Sequence, residues 1–233
     1  MKRPPPTAHP AFPHVVGVPG GSLGDLSSPD KFGDKAAIGQ VGEKQTAQVL
    51  DAYCNRDGPT VLHDLVLPMR NITANIDHIV IAGREVTILD TKSWRPGRLW
   101  TFRGTTRRGW EKFPPGDKRT LQMANESISA LLTQAGVRFK MCQPLMVIWP
   151  SNQSKRMSTM WYSPIGATAI RGDALARHVG GQFRPRLADP DIVNALIPLV
   201  ISVQKNEAAR SAPSARNGRE PAPPSSRYQS DDF

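Results

Sequence analysis

Cysteine is scarce: the 233 residues contain two, Cys54 and Cys142. Neither stands in a Cys-x-x-Cys pair or a Cys/His cluster, which argues against a zinc site and leaves a reduced, cytoplasmic protein with two buried thiols as the expectation. Long apolar runs are missing too. No stretch approaches the ~18 residues that span a bilayer. Lys2 and Arg3 run straight into Pro4-Pro5-Pro6 with no apolar stretch behind them, so no secretory signal is expected. No strongly amphipathic basic helix stands out either, and a membrane partner is not expected. Acidic residues are outnumbered: 20 Asp and Glu against 30 Lys and Arg give a formal charge of +10 and a pI near 10.1. Such an excess biases a protein toward polyanions, though solubility alone also accounts for it.

Residues 1–32 hold seven prolines and several glycines without sustained periodicity, and read as a disordered arm. Within them, Gly17-Val18-Pro19-Gly20-Gly21-Ser22-Leu23-Gly24 lacks both a preceding strand and the Gly-Lys-Ser/Thr ending of a phosphate-binding loop, so it reads as a linker. Residues 206–233, rich in Ala, Pro, Ser and Arg, read as a solvated tail. The ordered domain is thus expected at 33–205, with no solenoid repeat.

The first element is a helix from about Lys35 to Asn55, its first turns interrupted at Gly39 and Gly42. After Asp57-Gly58-Pro59 comes a strand, Thr60–Leu67, closed by Pro68. Two β-rich runs, Ile76–Ala82 and Glu85–Thr91, flank Gly83-Arg84 at hairpin spacing. A helix over residues 117–135 with Asp117 as N-cap follows, then a strand at Leu145–Trp149. Helices at about 171–179 and 189–204, the latter bent at Pro198, finish the domain. This order predicts an α/β fold on a mixed sheet.

The hairpin register carries the chemistry. A two-residue loop at Gly83-Arg84 sets Ala82 opposite Glu85, Ile79 opposite Ile88 and Asp77 opposite Asp90, so that Asp77, Asp90 and Lys92 share a face. Two carboxylates so close favour a proton on one of them or a cation between them. Mg²⁺ accepts two carboxylates and a backbone carbonyl, and Lys92 points toward its water or a scissile phosphate. The bland alternative is two strand-end acids neutralised by Lys92.

A resemblance weighs against that alternative. Gly39-Gln40-Val41-Gly42-Glu43, Val61-Leu62-His63-Asp64, Asn75-Ile76-Asp77-His78-Ile79-Val80 and Ile88-Leu89-Asp90-Thr91-Lys92-Ser93-Trp94 occur in that order. Together they resemble the nuclease-related domain, NERD, a branch of the PD-(D/E)XK restriction-endonuclease-like superfamily. The resemblance implies a restriction-endonuclease-like core with helices flanking a mixed sheet. It also implies roles: Glu43, Asp77 and Asp90 as metal-binding acids, Lys92 beside them, and the Thr91 carbonyl as a further ligand. Gln122 resembles a glutamine that some exonuclease-like branches set at the site, although Glu126 stands where those branches carry tyrosine. Lys92-Ser93-Trp94-Arg95-Pro96-Gly97 also departs from the family, which more often has one residue between Trp and Gly.

Residues 92–119 carry nine Lys or Arg against Glu111 and Asp117, interleaved with Trp94, Trp100, Phe102, Trp110 and Phe113. Arg95, Arg98, Arg103, Arg107, Arg108 and Trp94 are the candidate nucleic-acid contacts, with about half of the aromatics expected in the core. His78 is expected on the far side of the sheet from Asp77, and packing or a local hydrogen bond is expected of His63 and His78. Ser93 lacks a Gly-x-Ser-x-Gly context. The expected function is Mg²⁺- or Mn²⁺-dependent phosphodiester hydrolysis in nucleic acid, with DNA preferred to RNA. Its rivals are a non-catalytic nucleic-acid-binding module on the same fold and a purely structural protein.

Overall fold

Apolar alternation on either side of Gly83-Arg84 sets the centre of the fold. In the computed structural model, β3 (Asn75–Ala82) and β4 (Glu85–Trp94) form an antiparallel hairpin; residues 14–21, 29–54, 58–67, 75–152, 154–183 and 185–211 are described. Gly83 takes φ +61°, the left-handed conformation that a type II′ turn asks of its first central residue. Ala82 pairs with Glu85, Ile81 with Val86 and Ile79 with Ile88, as the sequence predicts.

The sheet grows from this hairpin in both directions. On one side β2 (Thr60–Val66) pairs antiparallel with β3, and β1 (Val15–Val16) lies parallel to β2. On the other, β4 carries β8 (Lys140–Met141) and β9 (Leu145–Pro150), both parallel to it, and β9 carries the parallel β11 (Thr168–Arg171). The order β1-β2-β3-β4-β9-β11 is mixed, as expected.

Helices cover both faces. Leu50 of α1 (Pro29–Tyr53) and Leu175 and Val179 of α3 (Leu175–Gln182) pack with Val61, Val80, Leu89 and Val147. Across the sheet, Ile128 and Leu132 of α2 (Thr120–Gln134) and Ile192 and Leu196 of α4 (Pro190–Leu196) pack with Ile79, Ile81 and Ile88. Each such side chain contributes roughly 1.5–3 kcal/mol by leaving water. The result is an α/β fold compatible with a restriction-endonuclease-like core.

Several local expectations are corrected. Helix α1 starts at Pro29 and runs unbroken through Gly39 and Gly42. Asp117 is not an N-cap: it closes a 3-10 turn, Pro114–Asp117, where its carboxylate accepts the Thr106 N–H at 2.8 Å. Val15–Val16, inside the expected loose arm, fill the outer edge of β2, whose backbone groups would otherwise lack strand partners. At the other end α5 (Ile201–Ser211) continues into the expected tail, and the bend foreseen at Pro198 is a 3-10 turn, Ile197–Leu199, between α4 and α5. Residues 1–13, 22–28 and 212–233, on which the remaining arm and tail expectations fall, lie outside the described residues.

The basic stretch forms a second sheet that the sequence reading did not contain. It is ordered β10-β5-β6-β7, from β5 (Arg98–Phe102), β6 (Thr105–Arg108), β7 (Glu111–Lys112) and β10 (Ser158–Trp161). Both thiols are free, and half-buried rather than buried. Burial and the Asp51 charge push Cys54 up to about 12, which makes it inert. Among the described residues no helix is long and apolar enough to cross a membrane.

Candidate active site

The β3–β4 ladder stops at the pair His78–Leu89, one residue short of Asp77 and Asp90. There the strands exchange side-chain contacts in place of ladder bonds. Asp77 Oδ2 accepts the Thr91 N–H at 2.6 Å, and Lys92 Nζ lies 2.6 Å from Asp90 Oδ2. Asp90 is buried, whereas the Lys92 side chain keeps 34% of its surface exposed.

Glu43 joins this group because α1 lies unusually close to β4. A Cβ on Gly42 would fall 2.2 Å from Ser93 Oγ and 3.3 Å from Thr91 Cγ2, so a larger residue there would have to displace the Ser93 side chain. About one turn on, Thr46 Oγ1 accepts hydrogen bonds from Thr91 Oγ1 at 3.0 Å and Trp149 Nε1 at 2.8 Å, tying α1 to β4 and β9. Glu43 sits between these two anchors.

The charges are out of balance. Burial, then the Asp90 charge, holds the Asp77 carboxyl well above its usual range, against the pull of Lys92. Burial pushes Glu43 up to about 7, with Asp64 and Asp90 adding to it and Lys92 opposing. For Lys92, burial favours loss of the proton, but Asp90 and Asp77 outweigh it and the ammonium is held above its ordinary value. An acidic pocket with one cation therefore sits in a chain of net charge +10. Among the described residues no three carboxylates, imidazoles or thiols converge closely enough to grip a metal as placed.

A further acid, Asp64, joins the group, although in the sequence it stands only within the Val61–Asp64 motif. In the β2–β3 register His63 faces His78 and Leu65 faces Ile76, which sets Asp64 in the row of Asp77. Asp64, Asp77 and Asp90 thus form one row across three neighbouring strands. Asp64 is buried, has φ +54°, and is the strongest charge acting on Glu43. The available signal was a charged residue interrupting the apolar run of β2. The segment read as a linker also reaches this group. The Gly20 backbone donates to Glu43 and its carbonyl accepts from Gln40 Nε2 at 3.3 Å, while a Cβ on Gly21 would meet Asp64 Oδ2 at 3.1 Å.

His78 lies on the other face, as expected, and the register sets His63 opposite it. Their Nδ1 atoms are 2.8 Å apart, and His63 Nε2 is 3.0 Å from Asp51 Oδ1. Burial lowers both imidazole pKa values. Ser93 serves packing beneath Gly42. The Gln122 amide donates to Glu126 Oε1 at 3.0 Å and makes its hydrogen bond with the residue that departs from the family pattern, not with the acids.

The nucleic-acid candidates divide. Arg95, Arg98 and Arg103 are exposed. The Arg107 guanidinium lies 5.6 Å from the Trp100 ring centre, whereas Arg108 turns inward and lies 4.8 Å from the centre of Phe113. Trp94 is half-buried, edge-to-face with Phe113 at 4.9 Å and with Tyr162 at 6.0 Å, so its ring serves packing. Among the described residues, Trp110 at 88%, Trp161 at 70% and Phe102 at 59% are exposed rings.

No curated protein and no solved structure gives a significant match to this chain. The family model described as NERD, nuclease-related domain, matches residues 38–149. That span takes in Glu43, Asp64, Asp77, Asp90 and Lys92, and ends at Trp149 on β9. With its acids and lysine in one group at the open end of the β3–β4 hairpin, the chain carries a NERD nuclease-related domain of the PD-(D/E)XK-like type.

Proposed function

We propose that this protein is a Mg²⁺- or Mn²⁺-dependent nuclease that hydrolyses phosphodiester bonds in nucleic acid, DNA in preference to RNA, in the reducing cytoplasm. The observation that carries the reading is Lys92 Nζ lying 2.6 Å from Asp90 Oδ2, with Asp77 bound to the intervening Thr91. The donor set fits a hard divalent ion: the carboxylates of Asp77, Asp90 and Glu43 and the Thr91 carbonyl offer only oxygen. Burial, together with neighbouring acids, holds Asp77 and Glu43 above their usual range, and a cation placed among them would favour their charged forms. A divalent ion, when bound, offsets charge on the phosphate and makes water a better nucleophile. Lys92 is held in its ammonium form by the surrounding carboxylates, so it orients water and neutralises the scissile phosphate without accepting a proton. Asp64 acts through Glu43 as a positioning acid, and Arg95, Arg98, Arg103 and Arg107 hold the backbone of the substrate.

Cleavage of plasmid, linear and single-stranded DNA with Mg²⁺ or Mn²⁺ tests this. Asp90→Ala and Lys92→Ala are each expected to lower the rate by at least about 100-fold while the protein stays folded. Cutting that survives both substitutions, or that needs no metal, overturns the reading. A second reading, a binding module that does not cut, is favoured by the lack of three converging ligands among the described residues. Wild-type protein that binds DNA with steep salt dependence yet cuts no substrate would select it.

A further inference from the structure

The small sheet is two-sided. Leu99 and Thr106 face inward and are buried, and Phe113, just beyond β7, closes over them in the main core. In the register of β5 and β6, Trp100 lies opposite Arg107 and Phe102 opposite Thr105; on the other edge Trp161 of β10 pairs with Trp100. These residues form the outer face. Of these, Trp100, Phe102 and Trp161, with Arg98 and Trp110, line an open cleft of about 540 Å³, within the ~300–1,000 Å³ of small-ligand sites. None of the lining residues is acidic.

The cleft has a braced wall and free rings. Trp100 Nε1 donates to the Gly109 carbonyl at 2.7 Å, and Arg107 donates to the Trp110 carbonyl at 2.8 Å while lying over the Trp100 ring. Trp110 meets Trp100 edge-on at 6.4 Å and leaves most of its surface in water, as does Trp161. Exposing two tryptophans this far is costly unless a partner covers them. Arginines around flat apolar faces match a ligand of stacked rings on an anionic backbone.

We infer that this cleft takes unpaired nucleobases, and that single-stranded nucleic acid, or a strand end freed from its duplex, is the substrate class. The inference rests on the nuclease reading and deepens it. A duplex keeps the faces of its bases stacked inside and offers the tryptophans nothing to stack on, whereas each base of a single strand presents one. The position suits delivery: β5 begins six residues after Lys92, at most about 20 Å of extended chain. Trp161 lies beyond the 38–149 family match, so the cleft combines that domain with the chain's C-terminal part.

The test is fluorescence anisotropy with a labelled oligothymidylate and a blunt duplex of equal length. Full-length protein is used, with chelator present so that nothing is cut. Wild type should bind the single strand more tightly than the duplex. Trp110→Ala and Trp161→Ala should each weaken single-strand binding by about 5- to 150-fold, with duplex affinity changed less than about twofold. Trp110→Phe, which keeps a ring, should restore most of the loss. Unchanged single-strand affinity in both alanine variants, equal loss on both ligands, or no binding by wild type overturns the inference. So does a dimer that Trp161→Ala turns to monomer with oligonucleotide affinity intact, since the cleft would then belong to a second copy. Parallel cleavage assays separate the two readings. Wild type that cuts while its single-strand binding ignores both tryptophans keeps the nuclease and loses the cleft. Tryptophan-dependent binding without cutting does the reverse.

Discussion

In the large sheet, Asp77, Asp90 and Lys92 lie on strands whose neighbouring side chains are buried on both faces; in the small sheet, Arg98 and Lys112 stand in water beside bare tryptophans. Charge buried among charge is little screened by salt, whereas exposed charge responds to ionic strength. The two sheets therefore answer to different levers, pH and metal for one, ionic strength for the other. The same division governs stability: one sheet holds the fold together, and the other spends an entire face on the outside.

The largest expected effect tests that division. Ile79 is fully buried at the centre of the large sheet. Ile79→Ala should cost about 2–5 kcal/mol and lower the melting temperature by roughly 4–20 °C. Phe102→Ala, on the outer face of the small sheet, should stay within about 0.5 kcal/mol of wild type. Calorimetry that finds equal losses would mean the small sheet's outer face is covered and structural.

The sequence was legible wherever turn geometry settled the pairing. Gly83-Arg84 fixes one register, and with it Asp77, Asp90 and Lys92 fall on one face without any knowledge of the rest of the fold. Glu43 was reached by resemblance; the physical reason it arrives is the missing Cβ at Gly42, whose meaning depends on Ser93, fifty-one residues away. Asp64 is not legible in this way because eight residues separate β2 from β3, too many for a two-residue loop to fix its register to Asp77. The small sheet was missed for another reason. Strands such as Thr105–Arg108 have one buried residue in four, Thr106, and a polar residue facing inward leaves no apolar alternation to read. Trp94 and Trp110 carry the same side chain in the same basic stretch, and only the three-dimensional neighbours, Phe113 and Tyr162, decide that the first packs and the second is bare.

A smaller effect separates the sheets by pH. Glu43 titrates near 7 when folded and near 4.5 otherwise, so between these values the folded state holds the extra proton. Stability from this group is therefore lost as pH rises through that window, by about 1–3 kcal/mol. The buried histidines act with the opposite sign below about 6.5, and their contribution cancels in the difference between wild type and Glu43→Gln. That difference in melting temperature should grow from pH 4.5 to 8 and shrink at pH 8 on adding Mg²⁺. Arg98→Gln, in the small sheet, should leave the pH profile as it is in wild type. A pH profile unchanged by Glu43→Gln would remove the site from the large sheet's electrostatics.

The finest distinction lies within the large sheet, at Asp64, where backbone strain and charge coincide. A non-glycine residue at φ +54° costs about 1–3 kcal/mol in sites of this kind, and the fold retains it beside Glu43. Two substitutions take the two properties apart. Asp64→Asn tolerates the left-handed backbone and removes only the charge. The Glu43 transition should then move below 7, because its strongest charged neighbour is gone, and cleavage should fall by roughly tenfold. Asp64→Gly removes charge and strain together, so the same loss of cleavage should come with a protein that is no less stable than the asparagine variant. If both variants cut like wild type and the Glu43 transition stays in place, Asp64 serves only the backbone of β2. If the rate falls in both while stability separates them, the row of three aspartates works as one unit, and the strain at Asp64 is the cost of bringing the third within reach of Glu43.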